Sequence, residues 1–225
     1  MTTLLYLARH GQTDWNCQGR YQGQIDIPLN DRGREEARSL AEKLQQSRPA
    51  AIWASDLSRA RETAAIVAAP HNLPVQIHPG LREMHFGSWQ GLTWQQIEQR
   101  FPEAWRLWAE DPLGYNIPGA ESVEEMETRF KQALLEICGK YPGGTVFVVT
   151  HGGPMSRLLS ELAADEFWEM LQGNCACSLL GFPQNRFPYP GPASSKRDKQ
   201  VVPGVESASK RYVPVVTLPG PGKMI

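Results

Sequence analysis

Short runs of apolar residues recur along the chain and predict the strands of a central sheet. They occupy residues 4–8, 50–54, 73–78, 144–150 and 175–182. The first run is too short to cross a membrane and has the length of a buried strand. The run at 144–150 is β-branched and shows no polar alternation, which is typical of a strand that is buried on both faces of a parallel sheet.

Stretches with helical periodicity separate these runs. An apolar stripe that begins after Asn30 or Asp31 predicts a helix to residue 46, and a second helix follows Asp56 or Ser58, either of which can cap it. A capping box of the form Ser-x-x-Glu begins another helix near residue 122. That helix is predicted to run over residues 122–140. Further helices are predicted at residues 93–100, 102–110 and 155–162.

The alternation of strands and helices predicts the fold class. It is typical of an α/β protein in which helices cover both faces of the sheet, that is, a three-layer α/β/α sandwich with a mostly parallel central sheet. We expect this domain to span residues 1–182. From residue 183 to residue 225 Pro, Gly, Ser, Lys and Arg dominate, which predicts an extended or disordered tail.

Composition narrows the function classes. The 225 residues are 41% hydrophobic and 21% charged, as in an ordinary globular domain, and the formal net charge is −1. A chain of this charge is not expected to bind nucleic acid or a membrane surface. The N-terminus lacks the basic and long apolar regions of a signal peptide, so we expect a cytoplasmic protein. The sequence leaves open whether the chain forms a homodimer.

Two of the predicted strands run directly into a histidine and a glycine. The first run is followed by Arg9, His10 and Gly11, and the run at 144–150 by His151 and Gly152. Because parallel strands present ligand sites at their carboxyl ends, both imidazoles are expected at the same edge of the sheet. Histidine can act there as a nucleophile or a general base, and the planar guanidinium of arginine suits a phosphate or a carboxylate.

Further polar groups are expected at this edge. Arg59 lies on the first turn of a predicted helix, and Asn16 and Glu83 lie on nearby loops. Two arginines and two imidazoles around one point form a pocket for a doubly charged anion, best a phosphoryl group. The four cysteines are scattered and show no zinc-ligand spacing, so we expect chemistry without a metal.

Motifs in a fixed order extend this pattern. Leu-Ala-Arg-His-Gly-Gln-Thr-Asp-Trp-Asn at residues 7–16 comes first. Tyr-Gln-Gly at 21–23, Ser-Asp-Leu-Ser-Arg-Ala at 55–60, Leu-Arg-Glu at 81–83, Phe-Gly-Ser-Trp-Gln-Gly at 86–91, Gly-Ala-Glu-Ser at 119–122 and Val-Thr-His-Gly-Gly at 149–153 follow. The set resembles the histidine phosphatase superfamily, with its phosphoglycerate mutase-like fold, over about residues 3–182. The tail departs from the family, whose members usually end with a short strand.

The resemblance implies a role for each site residue. His10 would accept the phosphoryl group as phosphohistidine, and Glu83 would protonate the leaving oxygen and then activate water. The phosphoryl oxygens would be bound by Arg9, Arg59, His151, Asn16 and the backbone amide of Gly152. Gln22 and Gly23, in a loop that must lie over the pocket, would bind substrate. No cofactor is implied.

Other polar residues are expected to stay outside this chemistry. His71 and His78 do not follow the strand-end pattern and are predicted to be surface residues. Arg61 and Arg82 are predicted to be solvated or ion-paired, and a substrate contact by His85 is the less favoured reading. The tryptophans near residues 94–108 are expected in the core rather than in a ligand site.

The segment after Glu83, the acid that the resemblance implies, indicates whether the chain belongs with the mutases or the phosphatases of the family. Mutases resemble one another in a long insertion there that closes over a bisphosphate, whereas here a compact Gly-Ser-Trp-Gln-Gly-Leu-Thr turn leads into helices. An open site admits water, so we expect a hydrolase of a small phosphomonoester such as α-ribazole 5′-phosphate, a sugar phosphate or phosphoserine. The alternatives are a cofactor-dependent phosphoglycerate mutase and a non-catalytic module that binds a phosphate ligand.

Overall fold

A six-stranded sheet forms the centre of the fold in the computed structural model, which describes residues 1–163, 172–183 and 216–218. Its strands, in chain order, are β1 (Thr2–Arg9), β2 (Ala51–Ala54), β3 (Val75–Ile77), β4 (Thr145–Thr150), β5 (Cys177–Pro183) and β6 (Val216–Leu218). They stand in the order β3-β2-β4-β1-β5-β6. The first four in that order are parallel, whereas β5 and β6 each run antiparallel to the preceding strand. The prediction of a mostly parallel sheet is confirmed.

Helices alternate with these strands, as the periodicity predicts. The α-helices are α1 (Asp14–Cys17), α2 (Asp31–Leu44), α3 (Ser58–Ala68), α4 (Trp94–Arg100), α5 (Pro102–Glu110), α6 (Val123–Gly139) and α7 (Gly152–Ala163). Short 3₁₀ helices lie at Ala69–His71, Pro79–Leu81 and Gly87–Trp89. Helix α7 begins directly after His151, earlier than the pattern of residues 155–162 predicts.

Helices pack against both faces of the sheet and produce the three layers. Successive side chains of β4 point to opposite faces, so that Val146 and Val148 join one apolar cluster and Phe147 and Val149 the other. The first cluster takes its helical residues from α6 and α7, and the second from α2 and α3. The predicted α/β/α sandwich is thereby confirmed. Both clusters include residues of β1 and β4, so they hold in place the edge of the sheet at which these two strands end.

A third apolar cluster lies outside the sandwich, around α4 and α5. Trp89 and Ile97 are fully buried in it, and Trp105 and Trp108 pack against them. Trp94 stacks on Trp105 but is 47% exposed, so the prediction of a core position is wrong for that tryptophan. The reason is its position, because Trp94 is the first residue of α4 and its ring contact among the described residues is the single stack on Trp105.

The predicted helix caps are correct for α2 and wrong for α3. Asn30 caps α2 through its side-chain oxygen. Neither Asp56 nor Ser58 provides a side-chain cap for α3. The backbone N–H of Ser58 instead donates to Asp26 at 2.7 Å, and the Asp56 carboxylate pairs with Arg82. A loop distant in sequence thus supplies the acceptor that the local pattern was expected to supply.

The predicted tail lies mostly outside the described residues. Of residues 183–225, the structure describes Pro183, which ends β5, and the strand Val216–Leu218, which pairs with β5. That short segment therefore contributes an edge strand to the sheet. None of the helices in the described part of the chain combines the length and the apolar character that a membrane span requires.

Candidate active site

The two strand-end histidines meet at one edge of the sheet. β1 and β4 are parallel neighbours in a register that pairs Arg9 with Thr150, so the residues that follow them are also neighbours. The ring centroids of His10 and His151 lie 5.1 Å apart. The prediction that both imidazoles emerge at the same edge is confirmed.

The His10 ring is held in one tautomer. Its Nδ1 lies 2.7 Å from the carbonyl oxygen of Gly11, which can only accept, so the proton must sit on Nδ1 and the lone pair on Nε2. Burial lowers the pKa of His10 well below its ordinary value, and the positive charges of Arg59 and Arg9 lower it further. A neutral imidazole with a free Nε2 is the form in which histidine is a nucleophile.

Two arginines flank this ring. The side chain of Arg59 is fully buried and donates to the carbonyl oxygens of Gly23 at 2.7 Å and Ile25 at 2.9 Å. Burial lowers the pKa of Arg59 to about 10, so the guanidinium stays charged at neutral pH. Arg9 donates to the carbonyl oxygen of Gln172. In both arginines Nε is buried and finds no acceptor among the described residues, which leaves a donor for a bound anion.

His151 is fully buried beside His10. Neither of its ring nitrogens has a hydrogen-bond partner in the described part of the chain. Burial, followed by the charge of Arg59, lowers the pKa of His151 well below its ordinary value. Gly152 follows as the first residue of α7, and a Cβ built on it would lie 3.4 Å from the Nε of Arg9. A neutral ring with an unfilled N–H is equipped to donate to an anion.

The carboxylate of Glu83 reaches the same edge from the loop after the 3₁₀ helix Pro79–Leu81. One of its oxygens accepts from the backbone N–H of Met84 at 2.9 Å and the other from that of Gly153 at 3.2 Å. A side chain at Gly153 would overlap the carboxylate, so the glycine is required for this approach. The carboxylate is thereby joined to the start of α7, beside His151.

A cavity of about 210 Å³ opens above these groups. Its lining residues are Arg9, His10, Asn16, Gly19, Arg20, Tyr21, Gln22, Gly23, Arg59, Glu83 and Phe86. The side chain of Gln22 is 7% exposed, and its Oε1 has no partner among the described residues. Asn16 is fixed through its Oδ1, which accepts from Thr13.

The structure brings together every residue that the sequence singles out for this site, with His151 and Gly152 just beyond the cavity lining. It adds three side chains that are not among the predicted site residues, namely Arg20, Tyr21 and Phe86. Their positions in the sequence could have indicated them, since Arg20 and Tyr21 directly precede Gln22 and Phe86 closely follows Glu83.

The residues expected outside the site lie outside the cavity lining. Arg82 is ion-paired with Asp56, as predicted. His85 accepts from the backbone N–H of Gly87 and does not line the cavity. His78 is half-buried and bonded to Glu136, whereas His71 packs edge-on against Phe147 and is not a simple surface residue. The described residues contain no group of three or more His, Cys, Asp or Glu side chains arranged to hold a metal ion.

Comparison with known proteins agrees with this geometry. Residues 5–189 match the family described as histidine phosphatase superfamily (branch 1). The chain is 42% identical over 159 residues to the metal-independent phosphoserine phosphatase of Arabidopsis thaliana, which covers 69% of this chain and 67% of the relative.

Solved structures show the same fold. The native structure of a mycobacterial glucosyl-3-phosphoglycerate phosphatase superposes with a TM-score of 0.71 at 33% identity, and covers 80% of this chain and 91% of the other. The α-ribazole phosphatase from Shigella flexneri gives 0.70 at 28% identity, with coverage of 79% and 89%. The chain belongs to the histidine phosphatase superfamily and is a phosphatase.

Proposed function

We propose that this phosphatase hydrolyses a small phosphomonoester through a phosphohistidine formed on His10, without a metal ion. The observation that carries the proposal is the convergence of a neutral imidazole, whose Nε2 is free, with two guanidinium groups, each of which retains a buried, unfilled Nε donor. This combination provides a nucleophile and a binding site for the charge of the group that it attacks.

In the first step the Nε2 of His10 forms a bond to phosphorus while the bond between phosphorus and the ester oxygen breaks. The carboxyl group of Glu83 gives its proton to the departing oxygen, which leaves as an alcohol. The phosphoryl oxygens are bound by Arg9, Arg59, His151, Asn16 and the backbone N–H of Gly152. Each such contact that is lost typically costs about 3 kcal/mol of transition-state stabilisation.

In the second step water attacks the phosphorus of phosphohistidine. The Glu83 carboxylate takes a proton from the water, the bond from phosphorus to Nε2 breaks, and inorganic phosphate leaves a neutral His10. Access of water to the intermediate favours hydrolysis over transfer to a second substrate. The open cavity supports this choice, because the chain between Glu83 and α4 is a short turn and contains no long insertion.

The substrate is a small phosphorylated metabolite, whose organic part lies against the cavity mouth at Arg20, Tyr21, Gln22, Gly23 and Phe86. The names of the relatives put phosphoserine, glucosyl-3-phosphoglycerate and α-ribazole 5′-phosphate among the candidates. Apolar rings beside a cation and an amide can bind either a ring-bearing or a polar alcohol, so the panel of substrates should include both kinds.

The test is a hydrolysis screen over these phosphomonoesters with p-nitrophenyl phosphate as a general substrate, with and without EDTA. We expect His10→Ala to lower turnover by about 10⁴-fold or more, as loss of a nucleophile does, while acid-labile phosphate appears on His10 in the wild type. His71→Ala is the matched control, since this histidine packs against Phe147 and lies outside the cavity lining.

Retained turnover in His10→Ala would overturn the nucleophile, and activity that EDTA removes and a metal restores would overturn metal independence. Bisphosphoglycerate-dependent conversion of 2-phosphoglycerate into 3-phosphoglycerate would favour the mutase. Binding of phosphate without turnover of any ester would favour the binding module.

A further inference from the structure

The segment that carries Glu83 is fixed by side chains from three other parts of the chain. We call residues 80–83 the acid strap. The carbonyl oxygens of all four of its residues accept a hydrogen bond from a side chain: Gly80 and Arg82 from Arg129, Leu81 from Thr150, and Glu83 from both Arg129 and Gln24. Among the described residues the strap has no strand partner, so these bonds take the place of a sheet ladder.

Arg129, on α6, makes most of these contacts. Its Nη1 donates to the carbonyl oxygens of Gly80 at 3.0 Å and Arg82 at 2.8 Å, and its Nη2 donates to that of Glu83 at 2.9 Å. Its Nε donates to the Glu121 carboxylate at 2.9 Å. The planar fork of a guanidinium allows this division between a backbone and a carboxylate, which a lysine ammonium cannot reproduce.

Glu121 and Gln24 complete the arrangement. The Glu121 carboxylate, whose side chain is 16% exposed, accepts from both Nε and Nη2 of the guanidinium. The Nε2 of Gln24 donates to the Glu83 carbonyl at 3.1 Å and lies 3.4 Å from a Glu121 oxygen. The Glu83 carbonyl is therefore held from two directions, while the Glu83 carboxylate is held by Met84 and Gly153.

We propose that Arg129, held in place by Glu121 and assisted by Gln24, is a positioning residue that fixes the backbone of Glu83 so that its carboxyl reaches the leaving oxygen. This inference rests on the acid role of Glu83 in the proposed function. Arg129 acts through the strap and does not touch the reacting atoms. Its effect should appear where proton donation matters and be small where it does not.

The test compares kcat/KM for phenyl phosphate, which needs a proton on its leaving oxygen, with that for p-nitrophenyl phosphate, which needs it far less. In Arg129→Gln we expect phenyl phosphate to slow by about 10²-fold, as a displaced catalytic group does, and p-nitrophenyl phosphate by less than about threefold. A series of substituted phenyl phosphates should show a steeper dependence on the leaving group. Arg129→Lys should lie between Arg129→Gln and the wild type.

Arg157→Gln is the matched control. Arg157 has the same 25% side-chain exposure as Arg129 and is also ion-paired with a glutamate, Glu127, but does not contact the strap. It should leave the ratio of the two esters unchanged. Should Arg129→Gln fail to fold, Gln24→Ala removes one bond to the Glu83 carbonyl and should shift the ratio in the same direction by about threefold.

If Arg129→Gln slows both esters equally, so that its ratio of the two kcat/KM values equals that of Arg157→Gln, Arg129 has a merely structural role and the inference is overturned. Glu83→Gln separates the two proposals. If it slows phenyl phosphate selectively while Arg129→Gln does not, the acid role stands and the positioning role is wrong. If Glu83→Gln slows both esters equally, the acid role and the inference built on it are both wrong.

Discussion

The two ends of the cavity are built in different ways. At the inner end His10 and Arg59, with His151 just beyond the lining, are at most 2% exposed and lie at or beside the ends of parallel strands. At the mouth Arg20, Tyr21 and Phe86 are half-buried and lie on loops. In the proposed function the inner end meets the phosphoryl group that every phosphomonoester shares, and the mouth meets the part in which substrates differ. Changes at the inner end should therefore slow all substrates alike, and changes at the mouth should reorder them.

The largest effect is expected at the inner end, in Arg59→Gln. The substitution removes a buried positive charge and should lower kcat/KM by about 10²- to 10³-fold for every ester in a panel, because it removes stabilisation of the shared transferring group. Circular dichroism should verify folding, since Arg59 also bonds the carbonyls of Gly23 and Ile25. A loss confined to one class of ester would break the distinction between the two ends.

The second effect concerns stability at acid pH. Burial lowers the pKa values of His10 and His151 below their ordinary value, so the unfolded chain binds more protons than the folded chain below about pH 6.5. Their contribution to stability is fully present above that pH and is lost as pH falls toward the folded-state values. Each histidine then contributes a slope of up to about 1.4 kcal/mol per pH unit.

Urea unfolding at pH 7 and pH 5.5 measures this slope. His10→Gln should reduce the slope of the unfolding free energy against pH by the contribution of one histidine, up to about 1.4 kcal/mol per pH unit. His85→Gln, which changes a histidine outside the inner end and outside the His78–Glu136 pair, serves as the control. A wild-type free energy of unfolding that does not fall between these two pH values would contradict the buried, neutral state of both rings.

The smallest effect is expected at the mouth, in Gln22→Ala. Its Oε1 is buried without a partner among the described residues, so a substrate hydroxyl or amine could donate to it. We expect about a tenfold loss in kcat/KM for the preferred metabolite and a much smaller loss for p-nitrophenyl phosphate, which offers no such donor. An equal loss for both would assign Gln22 to the phosphoryl group and sharpen the boundary between the two ends.

The inner end was largely predictable from sequence. Apolar runs ending in His10 and His151 indicate two buried strands whose carboxyl ends meet, and a parallel sheet leaves one arrangement for the residues that follow. The helix cap at Asn30 was also predictable, because its hydrogen bond spans only a few residues and is therefore a local feature.

Other features could not be predicted from the sequence, because they depend on contacts between segments that are far apart in the chain. The start of α3 is capped by Asp26 rather than by Asp56, and the acid strap is bound by Arg129 from a helix that begins far along the chain. An arginine on a helix carries no local sign of the carbonyl that it will meet. The mouth likewise combines loops that only the fold brings together.

The sequence by itself determined the layered α/β fold and which polar side chains gather at the ends of β1 and β4, since hydrophobic periodicity and strand-end motifs are local patterns. Only the tertiary structure decided the tautomer of His10, the unfilled donors of Arg9 and Arg59 and the backbone support of Glu83. Those properties depend on which carbonyl oxygens approach each side chain and on how much water is excluded around it, and both follow from packing between segments that are remote in sequence.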